Sequence, residues 1–265
     1  MEKIEIRHIF YNEETLSQKP SSFIPLDNID GDKSWYEFWP ILNFLKNTKL
    51  EENVFYGFFS PRFTFKTGFP SESVINAVRN NDDKDVVLFS FAWDQLCYFI
   101  NPWEQGEVVH PGISKATQDF LNSIGLNIKI SELVTSRKNS VFSNYVVAKK
   151  SYWDRWKALA TQFFTYTDKL NKEISLLKTK YGNRELPMKV FMQERFPSIL
   201  LADKEFSTVN IDVNKAITAP FFINSPENKH RLEECNRIKN HIIETGVSKY
   251  LLNEFINVRK RVLLQ

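Results

Sequence analysis

The sequence has almost no cysteine: Cys97 and Cys235 are the only two in 265 residues. Their separation matches no zinc pattern and gives no disulfide framework, so free thiols and a reducing cytoplasm are expected. A long apolar run is also missing. Nothing approaches the ~18 consecutive apolar residues that span a bilayer. The start, Met1-Glu-Lys-Ile-Glu-Ile-Arg7, alternates charge with isoleucine, which is not the apolar stretch of a signal peptide. Charge of one sign is scarce too. The 35 basic and 32 acidic residues leave a net charge of +3, too small to imply nucleic acid. There is no GxxxxGK[ST] and no GxGxxG, which removes P-loop and dinucleotide-binding readings. There is no GxSxG elbow and no HExxH, so a triad hydrolase and a zincin are unsupported.

What is present is a bulky, soluble composition. Hydrophobic residues make up 42 % and charged residues 25 %, enough to build a core and keep a solvated surface. Aromatics reach 14 %. Most of those rings belong in a core, and some can serve as stacking platforms for planar or sugar-like ligands.

Strand and helix patterns interleave along the chain. Ile4–Tyr11 alternates and ends at Asn12, which predicts a first strand and its loop. Residues 17–34 read as a long loop. Trp35–Leu45 has helical spacing, with Pro40 expected to break it. Val54–Ser60 and Val86–Phe91 are near-continuous apolar runs, the signature of buried strands. Ser71–Val78 reads as a short helix capped by Ser71, and Ser114–Ser123 as a helix stopped by Gly125. Ser143–Ala148 is a further strand. Ser151 is expected to cap a long helix whose apolar positions run from Trp153 through Ile174 to Leu177, ended by Gly182. Pro187 opens another helix that Pro197 interrupts. Val209–Val213 and Phe221–Ile223 are candidate late strands. From Glu227 onward the pattern is helical. The alternation favours α/β architecture, divided here as an α/β domain over 1–225 and a helical C-terminal extension over 226–265.

The richest segment is Asn101-Pro-Trp-Glu-Gln-Gly-Glu-Val-Val-His-Pro-Gly112. It follows a buried strand, and ligands of open α/β sheets bind beyond the carboxyl ends of strands. Glu104 or Glu107 is a candidate general base toward an acceptor hydroxyl, and His110 can do the same or stabilise a leaving phosphate. Trp103 can stack on a sugar face, with Gln105 beside it. The competing reading is a loop pinned by Trp103 and the Pro-Gly turn. After the Val54 strand, Arg62, Lys66 and Thr67 precede Gly68, and two cations with a hydroxyl suit a phosphate. Tyr11 and Asn12, at the end of the first strand, join this donor-binding group. Asp94 lies just past the Val86 strand, where a carboxylate can hold the donor sugar, or Mn2+ or Mg2+ between diphosphate oxygens. Asn144 can read sugar hydroxyls or cap a strand. Glu194 is a second candidate base, or half of a salt bridge with Arg195. Arg259-Lys-Arg261, among Phe255, Ile256, Val262, Leu263 and Leu264, suggests a membrane surface.

Tyr56-Gly-Phe-Phe-Ser-Pro-Arg-Phe63 with Lys66-Thr-Gly68, Asn101-Pro-Trp-Glu-Gln-Gly-Glu107 with His110-Pro-Gly112, and Phe142-Ser-Asn-Tyr-Val-Val-Ala-Lys149 resemble a bacterial family encoded among surface-polysaccharide and lipopolysaccharide genes. The resemblance runs from about Ile9 to Leu201, and its layout is similar to GT-A-type glycosyltransferases. It implies a single Rossmann-like domain, a mostly parallel sheet, a nucleotide-sugar donor near residues 56–66, and a glycan or lipid-linked acceptor. It places Asp94 near the metal site of such enzymes and the Glu194–Arg195 helix behind the reaction centre. The chain departs from that pattern in lacking an Asp-x-Asp. A catalyst of this kind requires Arg62, Asp94 and Glu104 in one cleft. The alternatives are a non-catalytic glycan- or nucleotide-binding protein and a structural partner that recruits a polymerase through the basic tail.

Overall fold

The structure is a computed structural model that describes residues 2–170, 177–211 and 217–264. A six-stranded, mostly parallel sheet lies at its centre, flanked by helices. In chain order the strands of that sheet are β1 (Lys3–Phe10), β2 (Ile24–Asp27), β3 (Val54–Phe59), β4 (Val86–Leu88), β5 (Val146–Ala148) and β8 (Thr208–Asn210). Across the sheet they run β2-β1-β3-β5-β4-β8. β1 pairs in parallel with both β2 and β3, and β4 with β8. β5 alone is reversed, antiparallel to β3 and β4.

Strand periodicity explains why both faces are covered. Along β3, Val54, Tyr56 and Phe58 enter one core while Phe55 and Phe59 enter the other. β4 and β5 repeat this: Val86, Leu88, Val146 and Ala148 face the first core, Val87 and Val147 the second. Successive side chains of a strand point to opposite faces, so a run apolar at every position is buried on both. Gly57 interrupts the run for a packing reason. A Cβ there would stand 2.9 Å from both Ile6 Cδ1 and Val147 Cγ2, so the neighbouring strands already fill that space.

The larger core lies under α2 (Phe38–Asn47), α7 (Ile113–Ser123) and α8 (Lys150–Thr165). Trp153 ties α8 to the sheet by donating its indole N–H to the Tyr56 carbonyl at 2.9 Å. The smaller core lies under α3 (Phe63–Thr67) and α4 (Val74–Arg79), through Phe63, Val74 and Val78.

Several boundaries differ from the sequence reading. The expected loop over 17–34 contains β2, an edge strand that tolerates Pro25 because an edge leaves one row of N–H groups unpaired. Pro40 does not break α2. It sits in the first turn, where no intrahelical donor is needed. Ser71 is no N-cap; residues 71–73 form a 3-10 turn, and its hydroxyl bonds Thr64. α8 starts at Lys150 rather than from a Ser151 cap and passes into a π-helical turn at Tyr166–Leu170. Ile174 lies outside the described residues. Gly182 does not stop a helix: with φ 59° it forms the turn of a hairpin between β6 (Lys178–Tyr181) and β7 (Arg184–Pro187). α9 (Met188–Gln193) and α10 (Phe196–Leu200) meet at Glu194–Arg195, with Pro197 in the first turn of α10. Residues 212–213 of the expected Val209–Val213 strand lie outside the described residues. Phe221–Ile223 is not a strand; Phe222 makes an isolated bridge to Leu264.

After α5 (Trp93–Tyr98) and α6 (Pro102–Val109), the last helices are α11 (Pro226–Thr245) and α12 (Lys249–Arg259). α11 packs back on α5. The buried Lys239 ammonium donates to the Leu96 and Phe99 carbonyls, both at 2.6 Å, and so holds the open end of α5. Burial pulls that lysine down to about 8. No described helix is long and apolar enough to cross a membrane.

Candidate active site

A cavity of about 1060 Å³ opens at the carboxyl ends of the parallel strands. Four strands deliver their next residues to the wall: Tyr11 after β1, Asn28 after β2, Ser60 and Arg62 after β3, Phe91 and Ala92 after β4. The opposite wall is α6, the β6–β7 hairpin and the junction of α9 with α10. Backbone strain collects at this rim. Three described non-glycine residues have positive φ, and two of them, Tyr36 (48°) and Ala92 (59°), line the cavity. Such conformations cost about 1–3 kcal/mol each and persist where the surroundings enforce them.

Lys66 and Arg62 are presented by α3, a short helix after β3. Phe63 stacks on Phe59 at 4.3 Å between ring centroids and anchors the helix to the strand end. Gly68 (φ 67°) closes it and returns its N–H to Thr64, a conformation that favours glycine. The Lys66 ammonium lies 5.6 Å from the Phe91 ring and 5.8 Å from the Tyr145 ring. Burial draws its pKa down, but the combined attraction of Tyr145, Glu194, Glu37 and Tyr181 outweighs this and raises it. Lys66 is therefore a cation at any physiological pH. Arg62 stands at the exposed edge, its guanidinium 5.2 Å over Phe65.

Glu194 lies across from them at the α9–α10 junction, with part of its surface open to the cavity. Its carboxyl has no hydrogen-bond or ion-pair partner among the described residues. Burial pushes its pKa up to about 7; Lys66 and Arg195 pull it down, and Glu37 pushes it further up. A carboxyl poised near neutrality can exchange a proton with bound ligand.

Arg195, beside it, holds the wall together. It donates Nε to the Pro102 carbonyl at 2.9 Å, Nη1 to Phe191 at 2.8 Å and Nη2 to Gln105 Oε1 at 2.8 Å. Gln105 passes the chain on by donating to Gln95. His110 is stacked on Phe191, with ring centroids 3.7 Å apart, and its Nδ1 meets the Thr179 hydroxyl at 3.1 Å. Burial and the Arg195 charge lower its pKa to about 4, so its ring is neutral at pH 7 and no charge partner for a phosphate. Tyr11 presents a buried hydroxyl without a hydrogen-bond partner; burial first, then Glu37, holds the phenol in its neutral form.

The trio Arg62, Asp94 and Glu104 does not converge: of the three, only Arg62 lines the cavity. Asp94 has no exposed surface and accepts from the Thr218 N–H at 2.8 Å, the Ala219 N–H at 2.7 Å and the Thr218 hydroxyl at 2.8 Å. It is a loop clamp, and with both oxygens engaged it does not fit a metal ion. No group of three or more His, Cys, Asp or Glu among the described residues is arranged to hold one. Asp94→Ala is expected to lose about 2 kcal/mol of stability by releasing buried donors, and Mn2+ should leave the melting temperature of both proteins unchanged. Metal-dependent stabilisation lost in the variant would contradict this.

Glu104 turns outward to Arg259, with Nη1 at 2.7 Å from Oε1, and accepts the Ile100 N–H at 2.7 Å. Asn101 caps α6 by accepting from the Trp103 and Glu104 N–H groups. Glu107 likewise caps α7, accepting from the Gly112 and Ser114 N–H groups. Trp103 is wholly buried, its indole N–H donated to Thr117, and has no face for a sugar. Thr67 is buried within α3, bonded to Phe63 and Phe69. Asn12 is the exposed N-cap of α1 (Glu13–Ser17). Asn144 is buried behind the cavity and donates to Gln193. None of these lines the cavity, whereas Tyr11, Arg62, Lys66, Gln105, His110 and Glu194 do.

Sequence reasoning missed Glu37, Tyr36, Lys180 and Tyr181. Glu37 looks like the polar start of an amphipathic helix, and the last two lay inside an expected helix end.

No family model matches the chain. No curated protein matches it either. Among solved structures it is similar to the apo structure of WbbM, a bifunctional glycosyltransferase, at 12 % identity and a TM-score of 0.47. The alignment covers 97 % of this chain and 57 % of that one, so this chain spans little more than half of its neighbour's length.

Proposed function

We propose that this chain is a glycosyltransferase of GT-A-like layout that moves a sugar from a nucleotide-sugar donor to a glycan or lipid-linked acceptor, in bacterial cell-surface polysaccharide synthesis. One observation carries the reading: a nucleotide-sugar-sized cavity at the strand ends sets the cations Arg62 and Lys66 opposite a partnerless carboxyl poised near pH 7. Drug-sized ligands occupy hollows of about 300–1,000 Å³.

In this reading the donor diphosphate lies against Arg62 and Lys66. Glu194, as carboxylate, takes the proton from an acceptor hydroxyl as its oxygen forms a bond to the anomeric carbon. The bond from that carbon to the diphosphate oxygen breaks, and its electron pair leaves with the diphosphate. The two cations stabilise the growing negative charge, the role that fixed electrostatics play in a water-poor site. No step runs through a metal. Below its pKa of about 7, Glu194 is protonated and cannot act as base, so the rate should rise with pH to about 7 and then level. The tyrosines and amides of the wall suit sugar hydroxyls.

A thermal-shift series with nucleotide sugars tests this. A true donor at 100 times its Kd adds about 2.7 kcal/mol of stability, and Arg62→Ala with Lys66→Ala should abolish the shift. A flat response to every nucleoside diphosphate sugar would remove the proposal. Donor-induced stabilisation without turnover would favour the non-catalytic binder, the reading that the misplaced Asp94 supports.

A further inference from the structure

The cavity mouth carries charge and apolar surface that the transfer reaction does not use. Lys33 and Lys180 line it as exposed cations, and neither has a carboxylate partner among the described residues. Elsewhere basic side chains commonly meet acids, as Arg155 does Asp203 and Glu205, and Lys150 does Glu52 and Asp154.

Large apolar side chains that face solvent line the same cavity. Ile29 is 39 % exposed, Val109 44 % and Tyr181 43 %, all lining the cavity. Phe65, 79 % exposed, lies beneath the Arg62 guanidinium. Isolated exposed apolar residues are ordinary, but a cluster rimmed by unpaired cations around one opening marks a docking surface.

The C-terminal tail is the poorer membrane candidate. Arg259 is bound to Glu104 at 2.7 Å and Arg261 faces Glu234 at 3.8 Å. Phe255 and Val262, two of its apolar residues, are buried in the chain's own core.

We infer that the cavity mouth, not the C-terminal tail, seats on an anionic lipid bilayer. Phe65, Val109, Tyr181 and Ile29 enter the headgroup region while Lys33 and Lys180 face lipid phosphates. The chemistry is that of an interfacial protein: apolar insertion plus attraction to negative headgroups, each basic residue contributing about fivefold in partition. For the proposed transfer, this brings the opening to the level of a lipid-linked acceptor's phosphate. That last clause rests on the transferase reading; the bilayer contact does not.

Cosedimentation of the full chain with vesicles tests it, without any donor present. Binding is expected to vesicles of phosphatidylcholine mixed with phosphatidylglycerol, to fall with added salt, and to be weak to phosphatidylcholine alone. Lys33→Glu with Lys180→Glu, and separately Phe65→Ser with Val109→Ser, should each lower partition at least about tenfold. These side chains are exposed, so melting temperatures should change little, and that is checked for each. Lys260→Glu with Leu264→Ser should leave partition unaltered. Absence of binding to anionic vesicles, or its loss in the tail variant alone, overturns the inference. The thermal shift with nucleotide sugars is read separately, so failure on vesicles leaves the transferase proposal standing and the reverse also holds.

Discussion

Glu194→Gln should lower kcat by about 10²–10⁴-fold, the usual weight of a general base, and should make the protein more stable above pH 7. The two effects share a cause. In the unfolded chain this carboxyl titrates near its ordinary 4.5, and in the fold near 7. Below pH 4.5 both states hold the proton and the group is neutral in its effect. Between those values the folded state keeps a proton that the unfolded state has released. Stability falls with rising pH wherever the native state binds more protons, so it declines across this window and is lowest above 7. Discounted for the open part of the side chain, the cost of the buried charge is about 1–3 kcal/mol. Glutamine carries no charge at any pH. Urea denaturation at pH 4.5 and pH 8 reads the difference: near zero at the first, in favour of the variant at the second. A variant that keeps its turnover, or is destabilised at pH 8, would show that Glu194 is a structural residue.

Arg195→Met carries the largest expected loss of stability, about 3–5 kcal/mol, because removing a buried, hydrogen-bonded charge strands its partners. Those partners are the Pro102 and Phe191 carbonyls and Gln105, on α6 and α9. Arg195 also pulls the Glu194 pKa down, so where the variant still folds, the rise of rate with pH should move to higher pH. Gly106→Ala checks the same contact with a smaller change. Alanine in a helix interior normally gains about 1 kcal/mol over glycine. Here its Cβ would stand 2.7 Å from Ile113 Cγ2 and 3.1 Å from Arg195 Nη2. A net loss is therefore expected. Chemical denaturation of both variants measures it, and a stabilised Gly106→Ala would show that the wall is looser than its geometry.

The parts of the site legible in the sequence were those with a local signal. Arg62 and Lys66 follow an apolar strand closed by Gly68, and a strand end is a place that periodicity can find. Glu194 was legible only as one of several candidate bases, since nothing local says which way a helix-end carboxyl faces. The richest motif misled for a physical reason. Asn101, Pro102, Glu104 and Glu107 are helix-start and cap residues, and Trp103 is a core anchor. Capping groups and catalytic groups draw on the same residue types, and only a partner distant in sequence distinguishes them. Asp94 meets Thr218, and Glu104 meets Arg259; both partners lie more than a hundred residues away.

The order of apolar runs by itself determined the layered α/β plan, the buried β3 and the helical character of the last forty residues, because periods of two and 3.6 are written in adjacent residues. The reversal of β5, the hairpin over the cavity, the strained Tyr36 and Ala92, and the placing of Glu194 rather than Glu104 at the cavity wall were decided only by tertiary structure. Each depends on what a side chain meets across the fold, and burial with charge partners, rather than residue type, sets whether a carboxyl clamps a loop or holds a proton near neutrality.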